Sequence, residues 1–127
     1  MGEFVDKYML PIAGRFTLIE QDTEIVPGIR TLFAPGHTPG HTAVEISSGD
    51  EKLICLGDAI AHPVHCQQPG WNMSPDCDWE QTVQTRKLLL EQAADEHARL
   101  FAFHLDFPSL GTVLRESTAW HWQPIPG

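Results

Sequence analysis

Short runs in which hydrophobic and polar residues alternate follow one another through the first half of the chain and predict a β-rich region. Pro27-Gly28 and Ser48-Gly49-Asp50 separate these runs as turns, because Pro fixes φ and Gly accepts positive φ. The run Lys-Leu-Ile-Cys-Leu is mostly apolar, which is typical of a buried strand. The predicted strands cover residues 15–20, 24–26, 29–34, 41–47 and 52–56.

Helical patterns accompany these strands. Apolar residues between Met1 and Pro11 predict a short amphipathic helix that ends before Pro11. Asp78 is the predicted cap of a longer helix that runs to about His97, with apolar residues at i, i+4 spacing. The segment 61–78 is irregular and long, so we expect it to be functional or to cover a site. Further strands are predicted at 99–103, 112–116 and 119–123.

Composition narrows the class of protein. With 127 residues, 42% of them hydrophobic and 20% charged, residues 1–127 are expected to form a single domain with a real core. The formal net charge of −9 argues against a nucleic-acid or anionic-membrane partner. No apolar run approaches the ~20 residues of a membrane span, so a cytoplasmic location is expected. Three cysteines without a C-x-x-C pair are interpreted as reduced thiols.

The segment Ala-Pro-Gly-His-Thr-Pro-Gly-His places His37 and His41 behind two Pro-Gly pairs, directly after a predicted strand. A Pro-Gly pair ends a strand in a turn with little conformational freedom, so the imidazole that follows is held at the rim of the sheet. Asp58 follows the buried strand 52–56, and His104 follows the strand 99–103. Alone, Asp58 also fits a turn cap and His104 a structural strand end. As an ordered set, two imidazoles and a carboxylate at strand ends indicate a site for zinc, manganese or iron.

These motifs resemble the metallo-β-lactamase superfamily of hydrolases, in particular its lactonase, glyoxalase-type thioesterase and organophosphate hydrolase branch. The resemblance rests on Pro-Gly-His-Thr-Pro-Gly-His, Leu-Gly-Asp-Ala and the later Phe-His. It implies an α/β (α+β) fold, the second half of an αββα sandwich, with a mixed, mainly antiparallel sheet and flanking helices. It further implies that His37 binds one metal, that Asp58 bridges two, that His104 binds the second, and that His41 is not a ligand.

One motif of that family is missing. The family's first half carries His-x-His-x-Asp-His, and no histidines of this chain have that spacing. The chain therefore resembles one half of the fold, with a sheet face that the other half would cover. Because an uncovered apolar face favours association, we expect a homodimer or a partner chain that supplies the first half.

The resulting functional hypothesis is a metal-dependent hydrolase of an ester, lactone, thioester or phosphoester, present as a partial domain. Asp58 is its predicted catalytic residue as well as a ligand with His37 and His104. His41, His62, His65 and Trp71 are predicted to line the pocket of a small-molecule substrate. The cofactor expected is a divalent metal, zinc first, with manganese or iron as alternatives. The competing hypothesis is a non-catalytic, dimerising half-domain that retains remnant ligands.

Overall fold

Within residues 2–126, which the computed structural model of the chain describes, seven strands form one sheet. Their order across the sheet is the same as their order in the sequence. Three of the six connections between these strands are two-residue turns, which allow only antiparallel pairing of the strands that they join. The strands are β1 (Thr23–Val26), β2 (Ile29–Phe33), β3 (Thr42–Ser48), β4 (Glu51–Cys55), β5 (Arg99–Phe101), β6 (Leu110–Glu116) and β7 (Ala119–Pro124).

One pairing departs from the antiparallel pattern. β4 and β5 are parallel, with Ile54 opposite Leu100, whereas every other neighbouring pair in the sheet is antiparallel. The α-helices are α1 (Gly2–Phe4), α2 (Val64–Gln67) and α3 (Trp79–Asp95). A parallel pair needs a long crossover, and the chain between β4 and β5 contains the short α2 and the long α3. The prediction of a mixed, mainly antiparallel sheet with flanking helices is confirmed.

Helix α3 covers one face of the sheet. Asp78 caps it as predicted, because its side chain accepts a hydrogen bond from the Gln81 amide at 3.0 Å. The helix ends at Asp95, two residues before the predicted end, and His97 then takes a left-handed φ of 51°. No helix between residues 2 and 126 has both the length and the apolar character needed to cross a membrane.

The hydrophobic core lies between α3 and this face of the sheet. Because side chains alternate along a strand, only every second residue of each strand points towards the helix. The side chains that meet there are almost fully buried: Leu32, Ile54, Leu100, Val113 and Trp120 from the strands, and Leu89, Leu90 and Ala93 from the helix.

The opposite face of the sheet is also largely apolar, and several of its large side chains are exposed. Ile29 pairs with Ile46, and their side chains are 36% and 38% exposed. Phe33 and Leu114 on the same face are 46% and 54% exposed. Rows of exposed apolar side chains on a sheet favour association with another surface.

Three expectations for the irregular segments are wrong. The N-terminal helix does not end before Pro11, because a 3-10 helix, Leu10–Arg15, accepts Pro in its first turn. The strand predicted at 15–20 does not form, since this region contributes no strand to the sheet. The segment 61–78 is not wholly irregular, because it contains α2. Met1, at the start of the predicted helix, and Gly127, at the end of the predicted domain, lie outside the described residues.

The core makes a direct prediction for stability. Ile54→Ala removes a side chain that is 0% exposed, and we expect it to lower the free energy of unfolding by about 2–5 kcal/mol. Leu88→Ala on α3 is the control, because Leu88 is 71% exposed and should change stability by less than about 1 kcal/mol. Urea unfolding followed by circular dichroism measures both, and equal effects would contradict the assignment of the core.

Candidate metal centre

The direction of the strands brings the predicted ligands to one edge of the sheet. β2 and β4 run in the same direction because each is antiparallel to β3, and β5 is parallel to β4. Their C-terminal ends therefore share an edge. His37 follows β2, Asp58 lies in the 3-10 turn Gly57–Ala59 after β4, and His104 follows β5. The sequence pattern was sufficient to predict this juxtaposition.

Asp58 stands between the two histidines. Its Oδ1 lies 2.8 Å from His104 Nε2, and its Oδ2 lies 3.9 Å from His37 Nε2. The hydrogen bond from His104 lowers the pKa of Asp58 from its ordinary value, while partial burial opposes this shift. The site is thus one carboxylate with an imidazole on either side.

Asp76 is a member of the site that sequence analysis missed. Its Oδ1 lies 2.9 Å from His37 Nδ1, and its Oδ2 accepts a hydrogen bond from the Met73 amide at 2.9 Å. The Asp76 side chain is fully buried. An ionised carboxylate only accepts hydrogen bonds, so the proton of a neutral His37 belongs on Nδ1. Nε2 then presents its lone pair towards Asp58, which is the form of imidazole that binds metals.

His41 is held by the backbone on both sides of its ring. Nδ1 lies 2.7 Å from the Ala34 carbonyl, and Nε2 accepts the Asp58 amide at 3.0 Å. No ring nitrogen remains for a metal or a substrate, and the residue instead fixes the backbone of Asp58. Gly57 permits this approach: its φ is +56°, and a Cβ there would stand 2.6 Å from His41 Nε2.

The other predicted pocket residues lie along the segment 61–78. His62 is exposed and its Nδ1 accepts from the Val64 amide, whereas Trp71 is 60% exposed. His65 is only 5% exposed, and its Nδ1 accepts from the Ala61 amide at 3.2 Å. Burial leaves His65 little surface for a substrate to touch. No hydrogen bond or ion pair within residues 2–126 joins His62, His65 or Trp71 to the three predicted ligands.

The types of donor atom present fit a divalent metal, although they do not surround a single metal position. Two imidazoles and a carboxylate suit zinc, and a buried carboxylate behind a histidine is the usual support of a metal ligand. Yet no three His, Cys, Asp or Glu side chains of the described part of the chain converge on one metal position. Instead, His104 is hydrogen-bonded directly to Asp58. The residues present therefore fit a part of a metal site.

Comparison with known proteins agrees with this geometry. The family model of the Metallo-beta-lactamase superfamily matches residues 2–104, which include His37, Asp58 and His104. The chain belongs to the metallo-beta-lactamase superfamily.

Individual members of the superfamily share both the fold and part of the sequence. The dizinc quorum-quenching lactonase AidC superposes with a TM-score of 0.83 at 33% identity, covering 91% of this chain and 40% of AidC. An N-acyl homoserine lactonase of Bacillus cereus is 37% identical over 54 residues, which are 42% of this chain and 21% of that enzyme. The hydrolase AbOPH shares the fold, with a TM-score of 0.82 at 23% identity over 98% of this chain and 44% of AbOPH. The chain thus spans less than half the length of these relatives.

Burial of His65 in this superfamily member makes stability depend on pH. Loss of hydration, reinforced by the charge of Arg86, lowers the pKa of His65 to about 4. The unfolded chain binds a proton near its ordinary value of 6.5, so stability is complete above pH 6.5 and is lost as the pH falls towards 4. Between pH 7 and pH 5 we expect a loss of about 2 kcal/mol from this group.

His65→Gln is the matched variant, because Gln retains an acceptor for the Ala61 amide without titrating. Urea unfolding of both proteins at pH 7 and pH 5 isolates the contribution of the imidazole. An unchanged pH dependence in the variant would show that His65 is not the group responsible.

Proposed function

We propose that this chain carries part of the metal site of a metal-dependent hydrolase, and that its substrates are cyclic esters of the lactone class. The carrying observation is the position of Asp58 between His37 and His104, with Asp76 behind His37. The similarity to AidC and to an N-acyl homoserine lactonase supports lactones over the thioesters, phosphoesters and open-chain esters that the superfamily resemblance also allows.

Each residue of the site has a role in this proposal. His37, Asp58 and His104 would hold the metal, with zinc first because AidC is a dizinc enzyme; manganese and iron accept the same donors. A divalent metal supplies Lewis-acid chemistry: it polarises the scissile carbonyl and makes water nucleophilic at neutral pH. Besides serving as a metal ligand, Asp58 would orient the water molecule that attacks the carbonyl. Asp76 keeps the proton of His37 on Nδ1, and His41 fixes the backbone of Asp58.

We further propose that complete coordination needs ligands from outside the described residues. The chain covers 40% of AidC, and its donors do not enclose one metal position. A second copy of the chain, or a partner chain with the missing ligands, would provide them. The exposed apolar sheet face around Ile29, Phe33 and Ile46 supports an assembly of this kind. Neither a nucleic acid nor a membrane is proposed as a partner, because the net charge is −9.

A second candidate function is a non-catalytic, dimerising half-domain. The direct hydrogen bond between His104 and Asp58 favours it, because two ligands that satisfy each other are a stable arrangement without metal. Metal content separates the two candidates.

Native mass spectrometry of the purified protein, before and after incubation with Zn²⁺, tests the proposal because it reports metal and oligomer together. We expect a dimer or larger assembly that holds zinc, and loss of that zinc in His37→Ala. His121→Ala is the control, since His121 lies on β7 and pairs with Glu116. Retention of zinc by His37→Ala would refute the site, whereas hydrolysis of an N-acyl homoserine lactone by the zinc-loaded wild type would exclude the non-catalytic alternative.

Asp76 gives a separate prediction. In Asp76→Asn the neutral amide no longer attracts the Nδ1 proton of His37 as strongly, so His37 becomes a poorer ligand. We expect Zn²⁺ affinity, measured by competition with a chromophoric chelator, to fall about 10- to 100-fold. Asp50→Asn in the exposed β3–β4 turn is the control and should bind as wild type does. Equal affinities of the two variants would remove Asp76 from the site.

A further inference from the structure

Arg86 is a buried cation in the middle of α3. Its side chain is 0% exposed and is among the largest of the fully buried side chains. None of the ion pairs between described residues includes it, and its Nη2 atom has no hydrogen-bond partner among them. A charge in such surroundings is unfavourable unless other groups compensate for lost hydration. Packing alone therefore does not explain why an arginine is buried at this position.

Three backbone carbonyls in two different segments compensate for the lost hydration, and the negative charge of the nearby Asp76 acts in the same direction. Arg86 Nε donates to the Ala59 carbonyl at 2.8 Å. Nη1 donates to the Pro69 carbonyl at 2.8 Å and to the Trp71 carbonyl at 2.5 Å. The planar guanidinium thus links α3 to the turn after β4 and to the segment 61–78. A lysine, with one compact ammonium group, cannot reproduce this fixed fork.

Both linked segments lead to the candidate metal ligands. Ala59 follows Asp58 directly in the same 3-10 turn. Trp71 lies two residues before Met73, whose amide binds Asp76 Oδ2, while Asp76 Oδ1 holds His37 Nδ1. Arg86 contacts neither ligand itself. Its hydrogen bond to Ala59 fixes the backbone next to Asp58. Its hydrogen bonds to Pro69 and Trp71 fix the segment that leads to Asp76, which in turn holds His37.

We propose that Arg86 is a positioning residue that sets the separation of Asp58 and His37 for metal binding. The inference rests on the proposed function, because it assumes that these two side chains bind a metal. A positioning role differs from a purely structural role in one respect: the loss of Arg86 should weaken metal binding in molecules that are still folded.

The test compares Arg86→Lys with Leu90→Ala in the full chain, using Zn²⁺ alone as the probe. Leu90 is also 0% exposed on α3 but makes none of these hydrogen bonds, so its truncation lowers stability and leaves the Arg86 fork in place. Thermal unfolding of the metal-free proteins gives stability, and chelator competition at a temperature where both are folded gives Zn²⁺ affinity. We expect a 10- to 100-fold loss of affinity in Arg86→Lys and wild-type affinity in Leu90→Ala.

The remaining outcomes separate this inference from the proposed function. If wild type binds Zn²⁺ and Arg86→Lys binds it equally well, or if both variants lose affinity alike, the positioning role is overturned and the metal site stands. If wild type binds no Zn²⁺, the metal site of the chain by itself falls, and the inference that rests on it falls with it.

If Arg86→Lys does not fold, the Arg86 Nε–H resonance of the wild type answers the question. A shift and slower hydrogen exchange on addition of Zn²⁺ support the inference, and an unchanged resonance overturns it.

Discussion

The parallel pairing of β4 with β5 is the constraint on which the site depends. In an antiparallel arrangement, the residues that follow these two strands would lie at opposite edges of the sheet. Because the strands are parallel, Asp58 and His104 come within hydrogen-bonding distance although 46 positions separate them in the sequence. The crossover that makes this pairing possible contains α3, and the same helix supplies most of the cover of the core. The same crossover therefore determines both the fold and the position of the ligands.

Helix α3 also carries the polar contacts that shape the ligand turns. Thr85 donates to the Pro35 carbonyl, Arg86 donates to the Ala59 carbonyl, and the Asp78 amide at the helix start donates to the Gly36 carbonyl. At Gly36 the backbone comes so close to Thr82 that a Cβ would meet its amide nitrogen at 2.4 Å. The helix is thus a rigid base against which two ligand-bearing turns are fixed. Their positions follow from a packed core and not from flexible loops.

Features that depend only on neighbouring residues in the sequence could be predicted from it. Alternation predicted most of the strands, the Pro-Gly pairs predicted the turn that carries His37, and Asp78 predicted the start of α3. Asp76 and Arg86 could not be predicted in this way, because their roles depend on contacts across 39 and 27 positions. Nothing near Asp76 distinguishes it from a solvated loop carboxylate. Arg86 lies on the same helix face as the buried Thr82 and Leu90, but arginine is a residue type that is ordinarily exposed. The strand expected at 15–20 failed because alternation alone does not provide a neighbouring strand with which to pair.

The order of the strands has a consequence for how the chain folds. Each strand pairs with its neighbours in sequence, so β1 to β4 close through short loops, as do β5 to β7. Only the β4–β5 contact requires closure of a long loop, whose entropy must be overcome before any pairing rewards it. We therefore expect two local units to form early and their docking along β4 and β5 to limit the folding rate. Since that same contact joins Asp58 to His104, the ligand pair would be assembled in the last step of folding, and partly folded chains would lack it.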